Sequence, residues 1–216
     1  LVEKVVEMAK VVPVDNYCGL KEKNKILKID KKEIEDLKLK DDFTPTEELL
    51  SESVITLEKG ALENKKIINS EGAEIAFSKN KYILMGSNGL EIELEKTSND
   101  YIIAVLAGSS ESMERDYDYK SKVHFKELGD FKKIGKETAN NAISKLNSKK
   151  IKTCKCDVIF DSKVSSSILR NLFTACNAPS IIKGTSFLKN RINKEIFNKN
   201  VNIVDDPSMI GKLRSR

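Results

Sequence analysis

Apolar residues Leu1, Val2, Val5, Val6, Met8, Ala9 and Val12 recur at helical spacing and stop at Pro13, which predicts a helix at the start of the chain. Residues 15–42 are rich in Lys and Asp with scattered Ile and Leu, the pattern of a polar loop holding one short strand around Ile26, Leu27 and Ile29. Thr44, Pro45 and Glu47 then supply a hydroxyl cap, a proline whose missing N–H costs nothing and an acidic partner, so a helix should start there. Leu49, Leu50, Val54 and Leu57 continue it on one face, and Gly60 interrupts that face without ending the helix.

From Lys65 to Ala107 the period shortens to β-rich runs, KIIN, AEIAFSK, KYILM, LEIELEK and YIIAVLA, which predict an antiparallel meander. Ser87, Asn88 and Gly89 lie between two of them and suit a tight hairpin. Leu90, Ile92 and Leu94 alternate with Glu91, Glu93 and Glu95, so one face is expected to meet a core and the other water or a partner. Tyr117, Tyr119 and Val123 suggest a further strand, approached by the charged run from Met113 to Asp116, and Ile134 to Leu146 returns to helical spacing. CDVIF at 156–160 reads as a buried strand, and Val164, Ile168, Leu169, Leu172 and Phe173 as another helix. Ser186 should cap a last helix holding Phe187, Leu188, Ile192 and Ile196, and Val201, Ile203 and Val204 a terminal strand that stops at Asp205, Asp206 and Pro207. Helices and strands segregate along the chain, which favours an α+β fold with helices packed on a largely antiparallel sheet. The expected division is a helical region with a polar loop over 1–62, followed by the meander and an α/β segment over 63–216.

The 216 residues and their 39% hydrophobic content can supply a real core. A charge of +5, from 38 basic and 33 acidic residues interspersed throughout, gives no basic patch with interleaved aromatics, so nucleic acid is not an expected partner. The longest apolar stretches fall far short of the roughly 20 residues that a membrane helix needs. The first residues carry acids where an export signal has a basic region and an apolar run, so the expectation is a cytoplasmic chain. Leu1 at the start and GKLRSR at the end read as cuts through a longer protein.

Candidate chemistry is sparse. His124 is the single histidine, whereas a hydrolytic zinc site commonly draws on several protein ligands. Asp205 and Asp206 could form a paired carboxylate for a cation, although a stop before Pro207 explains them without chemistry and is the favoured reading. Glu114, Arg115, Asp116, Tyr117 and Tyr119 form the densest mix of charges and aromatics, read as an interface or a cavity wall. Cys154 and Cys156 would point to the same side of an extended strand, but metal binding by that pair calls for further soft ligands, and none is adjacent. Cys176 follows an apolar helix face and is expected to be buried, and all four cysteines, Cys18 included, are expected to be reduced. Lys183, Gly184, Thr185 and Ser186 offer hydroxyls on a turn without the glycine-rich run of a phosphate loop.

Several segments in order, NSEG at 69–72, GSNG at 86–89, MERDYDY at 113–119, CDVIFD at 156–161, KGTSFL at 183–188, VNIVDDP and GKLRSR, resemble the TldD/PmbA family over nearly the whole chain, and more closely its PmbA (TldE) branch. That resemblance implies a cytoplasmic α+β protein whose family continues into a β-rich half beyond GKLRSR, and an association with metal-dependent peptide maturation and breakdown and with modulation of DNA gyrase. It also implies that zinc is held by a His-Glu-x-x-x-His helix in TldD-type chains, which pair with PmbA-type chains that lack it. The matching segment here is 168–175, ILRNLFTA, with Leu169 and Thr174 roughly where those histidines stand. Neither can ligate zinc.

The leading expectation is therefore a non-catalytic subunit with no catalytic residue and no cofactor of its own, zinc residing in a TldD-type partner. The partners implied are that subunit in a heterodimer, or a second copy in a homodimer, and a peptide substrate. The alternative is a metallopeptidase in its own right that brings together His124, Asp205 and Asp206.

Overall fold

A computed structural model describes residues 1–14, 19–26 and 30–215, in two compact units: Leu1–Ser148 with Asp206–Arg216, and Lys149–Asp205. Cys18 and most of the short strand expected around Leu27 and Ile29 lie outside the described residues.

The first unit begins with α1, Val2–Val11, a helix as expected, whose Val2, Val5, Val6 and Met8 are exposed. A 3-10 turn at Lys23–Lys25 and a short helix α2, Lys31–Asp36, follow. The polar composition concealed α2, which is started by a reciprocal cap: Asp30 accepts from its first turn and Glu33 reaches back to the Asp30 amide. Helix α3 runs Glu47–Leu62 and is capped by Thr46, whose hydroxyl accepts from the Leu49 amide at 3.2 Å. The expected cap at Thr44 is corrected by two residues, because Pro45 lies ahead of the helix and Thr46 takes the extended geometry of a cap.

Two long strands replace the five short runs, and a third forms where Tyr117 and Tyr119 suggested one. β1 is Ile67–Met85, β2 is Glu91–Ser109 and β3 is Ser112–Lys122, in an antiparallel sheet of order β1-β2-β3. KIIN, AEIAFSK and KYILM merge because bulges near Ile68 and Glu71 absorb the polar interruption without ending the ladder. The hairpin forms at the expected residues, with Gly89 at φ +90° and the Gly86 amide donating to the Leu90 carbonyl at 2.9 Å. A 3-10 turn at Phe125–Glu127 leads into α4, Phe131–Ser144.

Helices α3 and α4 pack on one face of the sheet. Leu57 and Ala61 of α3 and Ile134, Ala139 and Ala142 of α4 close over Tyr101, Ile103, Val105 and Ala107 of β2. The two helices touch at glycines: a Cβ on Gly60 would lie 2.5 Å from the Lys132 carbonyl, and one on Gly135 would strike the Leu57 carbonyl and lie 2.8 Å from the Ala61 amide nitrogen. Gly60 thus serves the contact with α4 and does not mark a weak point in α3.

Side chains alternate between sheet faces, so the helix-facing parity of Tyr101 and Ile103 carries down β2 to Glu95, Glu93 and Glu91. Ile92 and Leu94 therefore lie on the outer face, opposite Leu84 and Tyr82. The expectation that the Leu90, Ile92 and Leu94 face meets the core is corrected: these residues are half-buried, outside the core, on the side away from α3 and α4. The same outer face carries Ile102, Tyr117, Tyr119 and Met113.

In the second unit, α5 runs Ser162–Cys176 as expected, capped by Asp161, which accepts from the Lys163 amide at 2.8 Å. A short α6, Ala178–Ile182, follows. CDVIF is not a buried strand: it has no ladder partner among the described residues, and Ile159 is 97% exposed. Val201, Ile203 and Val204 likewise have no ladder partner among the described residues and are exposed; the Val201 amide turns back to the Asn198 carbonyl at 2.8 Å instead of joining a strand. Ser186 does not cap a helix. Its hydroxyl donates to the Ala175 carbonyl at 2.7 Å and accepts from the Leu188 amide at 3.0 Å, while Asn190 and Asn193 take positive φ and turn the chain. Cys176 is exposed, contrary to expectation, because it follows the one buried position of α5, Ala175.

The glycine contact between α3 and α4 generates a stability prediction. Gly135→Ala should lower the unfolding free energy by about 1–3 kcal/mol, since backbone must shift to admit the methyl group. Gly19→Ala, where nothing lies within 4 Å, should change it by less than about 0.5 kcal/mol. Denaturant midpoints of the two variants check this, and equal midpoints would contradict the close approach.

Candidate functional site

The most elaborated polar site in the first unit is built around Asp41, Thr97 and His124. Thr97 is buried at the point of β2 where β3 has ended. Its amide donates to the Leu39 carbonyl at 3.0 Å, its hydroxyl accepts from the Asp41 amide at 2.8 Å, and the same hydroxyl donates to the Val123 carbonyl at 2.9 Å. Asn99 donates to that carbonyl too, at 2.8 Å. The Asp41 carboxylate accepts from the Phe125 amide at 2.7 Å and from the Phe43 amide at 3.1 Å, and the His124 Nδ1 lies 3.6 Å from it. Burial pushes the Asp41 carboxyl up, but the amides of Phe125 and Phe43 and the neighbouring His124 together outweigh it and hold the group below its ordinary value. Residues beyond Asp206 close the same region: the Gly211 amide donates to the Leu37 carbonyl at 2.7 Å, and Lys96 Nζ donates to the Ser215 carbonyl at 2.6 Å.

An open cleft of about 600 Å³ lies beside this arrangement, with Ile34 and Leu39 as apolar lining, Lys40, Glu93 and Glu95 as charged lining, and His124 at one side. Lys40 pairs with Glu95 at 2.8 Å. The cleft offers both signs of charge and one carboxylate-oriented imidazole, a set suited to polar recognition. Among the described residues, no group of three or more His, Cys, Asp and Glu is placed to hold a metal ion.

His124 pairs with Asp41, and among the described residues neither His124 nor Asp205 nor Asp206 belongs to a group of three or more His, Cys, Asp and Glu placed to hold a metal ion. The Glu114 to Tyr119 cluster divides by strand alternation. Glu114 and Asp116 face α4, where Ser148 donates to Glu114 at 3.2 Å and Lys145 pairs with buried Asp116 at 3.0 Å. Arg115, Tyr117 and Tyr119 lie on the outer face. There the two tyrosine rings stack at 6.1 Å, the Arg115 guanidinium sits 5.4 Å from the Tyr117 ring and Arg115 pairs with Glu71 at 2.7 Å. Sequence reasoning missed Asp41, Thr97 and Asn99. The bond from the Phe43 amide back to Asp41 is a local turn that an Asp two residues before Phe could have signalled, whereas the bonds to Thr97 and Phe125 span the fold and left no local pattern.

A three-stranded antiparallel sheet backed by two helices on one face, with an open outer face, is the α+β class expected from the sequence. Residues 40–146 match the PmbA/TldA metallopeptidase central domain and residues 153–216 match the PmbA/TldA metallopeptidase C-terminal domain. The chain belongs to the TldD/PmbA family. A metalloprotease PmbA homolog of Buchnera aphidicola is 29% identical over 163 residues, covering 75% of this chain and 36% of that protein. Another from Haemophilus influenzae is 26% identical over 215 residues, 99% of this chain and 47% of that protein. In fold, the chain is similar to a Bacteroides thetaiotaomicron structure described as a proposed modulator of DNA gyrase, with a TM-score of 0.87, 23% identity, and coverage of 97% of this chain and 48% of that one. The chain thus spans less than half the length of these relatives. No helix among the described residues is long and apolar enough to cross a membrane.

The depressed carboxyl of Asp41 fixes the sign of a pH effect. Its contribution is fully present above the unfolded carboxyl value of about 3.9 and is lost as pH falls through the lower folded value. Asp41→Ala should cost about 1–3 kcal/mol at pH 7, because two amides lose their acceptor. It should also flatten the loss of stability below about pH 4 relative to the unaltered chain. Parallel pH profiles for the two proteins, measured by denaturant unfolding, would contradict this assignment.

Proposed function

We propose that the chain acts as a PmbA-type non-catalytic subunit of a TldD/TldE-type metallopeptidase complex in peptide maturation or degradation, with zinc held by a cytoplasmic TldD-type partner. Family membership supports the reading. The observation that carries it is α5, whose Leu169 and Thr174 stand where the family resemblance puts the zinc-binding histidines of the partner type. Leu169 has no donor atom, and the Thr174 hydroxyl donates to the Arg170 carbonyl at 2.9 Å.

In this reading the outer face of the sheet, with Arg115, Tyr117 and Tyr119, is the surface turned toward the partner or the peptide cavity. Exposed aromatics beside an arginine are the residue types that anchor interfaces. Glu114 and Asp116 then support that surface from behind through their bonds to Ser148 and Lys145.

Peptide hydrolysis should appear when the chain is mixed with a TldD-type subunit and be absent from the chain alone. Tyr119→Ala should weaken association with that subunit by about tenfold or more, roughly 1–3 kcal/mol, while leaving the denaturant midpoint of the chain within about 0.5 kcal/mol of its original stability. Hydrolysis by the isolated chain, or undiminished association in the variant, would contradict the proposal.

A further inference from the structure

Cys154 and Cys156 are free and exposed, two residues apart in a stretch that is neither helix nor paired strand. Every residue from Lys149 to Phe160 is exposed, and Lys149, Lys150, Lys152 and Lys155 surround the two thiols in sequence. Such a pair cannot complete a zinc site, which is four-coordinate, and no group of three or more suitable ligands forms among the described residues. The requirement for further ligands belongs to zinc, however. A soft monovalent d¹⁰ cation prefers thiolate sulfur and is satisfied by two such ligands in line.

We infer that Cys154 and Cys156 form a two-coordinate binding site for a soft monovalent cation of the Cu(I) or Ag(I) class. Two metal–thiolate bonds of roughly 2.3 Å placed in line would hold the sulfurs about 4.5 Å apart. Side chains two residues apart on an extended backbone emerge on one side about 6.5–7 Å from each other, and staggered rotamers can close that difference. Because the stretch has no ladder partner among the described residues, its backbone can adjust without breaking strand pairing. On binding, each thiol releases its proton to solvent and two sulfur–metal bonds form. The product bears one net negative charge, with no change of oxidation state. Lys152, ahead of the pair, and Lys155, between its members, supply positive charge nearby in sequence to offset it. Cys176 lies on α5 with no second cysteine near it in sequence and lacks this pairing. The inference is independent of the proposed peptidase role.

The test uses the full chain, reduced and kept free of oxygen, titrated with Cu(I) against a chromophoric Cu(I) chelator, with proton release followed in weak buffer. One Cu(I) per chain should be withdrawn from the chelator, with two protons released per ion. Cys154→Ser and Cys156→Ser should each lower the affinity by about a hundredfold or more, and Cys176→Ser should leave it unchanged. Because both positions are exposed, far-UV circular dichroism of the variants should match the unaltered chain. Failure to withdraw Cu(I), undiminished binding in either of the first two variants, or equally tight binding of Zn(II) would overturn the assignment.

Discussion

Thr97 joins three stretches of chain that are remote in sequence. Its amide and hydroxyl hold Leu39 and Asp41 from the segment ahead of α3, and the same hydroxyl holds the Val123 carbonyl after β3. A buried hydroxyl with both its donor and acceptor capacity used contributes about 1 kcal/mol per bond. Leaving those partners unmet would cost more than the bonds themselves gain. Asp41 carries the constraint onward to Phe43, ahead of α3, and to Phe125, after β3. The cleft lined by His124 and Glu95 exists because this junction holds the 37–43 segment beside the edge of β2.

The sheet has one covered face and one open face, and strand alternation decides what each presents. On the helix side it delivers Ile103 and Val105 to the core and Asp116 to Lys145. On the other it delivers Tyr117, Tyr119 and Ile102 to the surface, with Tyr82, Leu84, Ile92 and Leu94 further along the hairpin. A face with this much apolar and aromatic area is costly to leave in water and suits a second layer. That cost supports the proposed role within a larger assembly.

Much of the first unit was legible because its elements carry period and punctuation together. Leu49, Leu50, Val54 and Leu57 repeat as a helix and sit behind a threonine, and Asn88 and Gly89 mark the hairpin. What failed to show were the terms that depend on distant neighbours. CDVIF has strand composition, yet strandness needs another strand, and nothing described lies beside it. The alternation of Leu90, Ile92 and Leu94 is plain in the sequence, but which face meets the helices depends on the parity set by Tyr101 and Ile103. Helix α2 was hidden by its charges, although Asp30 and Glu33 form the reciprocal cap that marks a helix start. The candidate site followed the same rule. His124 stands out as a lone histidine, while its partner Asp41 lies more than eighty residues earlier with no local pattern to mark it.

The proposed placement of zinc in the partner can be decided by native mass spectrometry of the chain assembled with a TldD-type subunit, followed by gas-phase separation of the two. Zinc should remain with the TldD-type subunit, leaving this chain at its unmetallated mass. Zinc retained stoichiometrically on this chain, with the partner at its bare mass, would contradict the account.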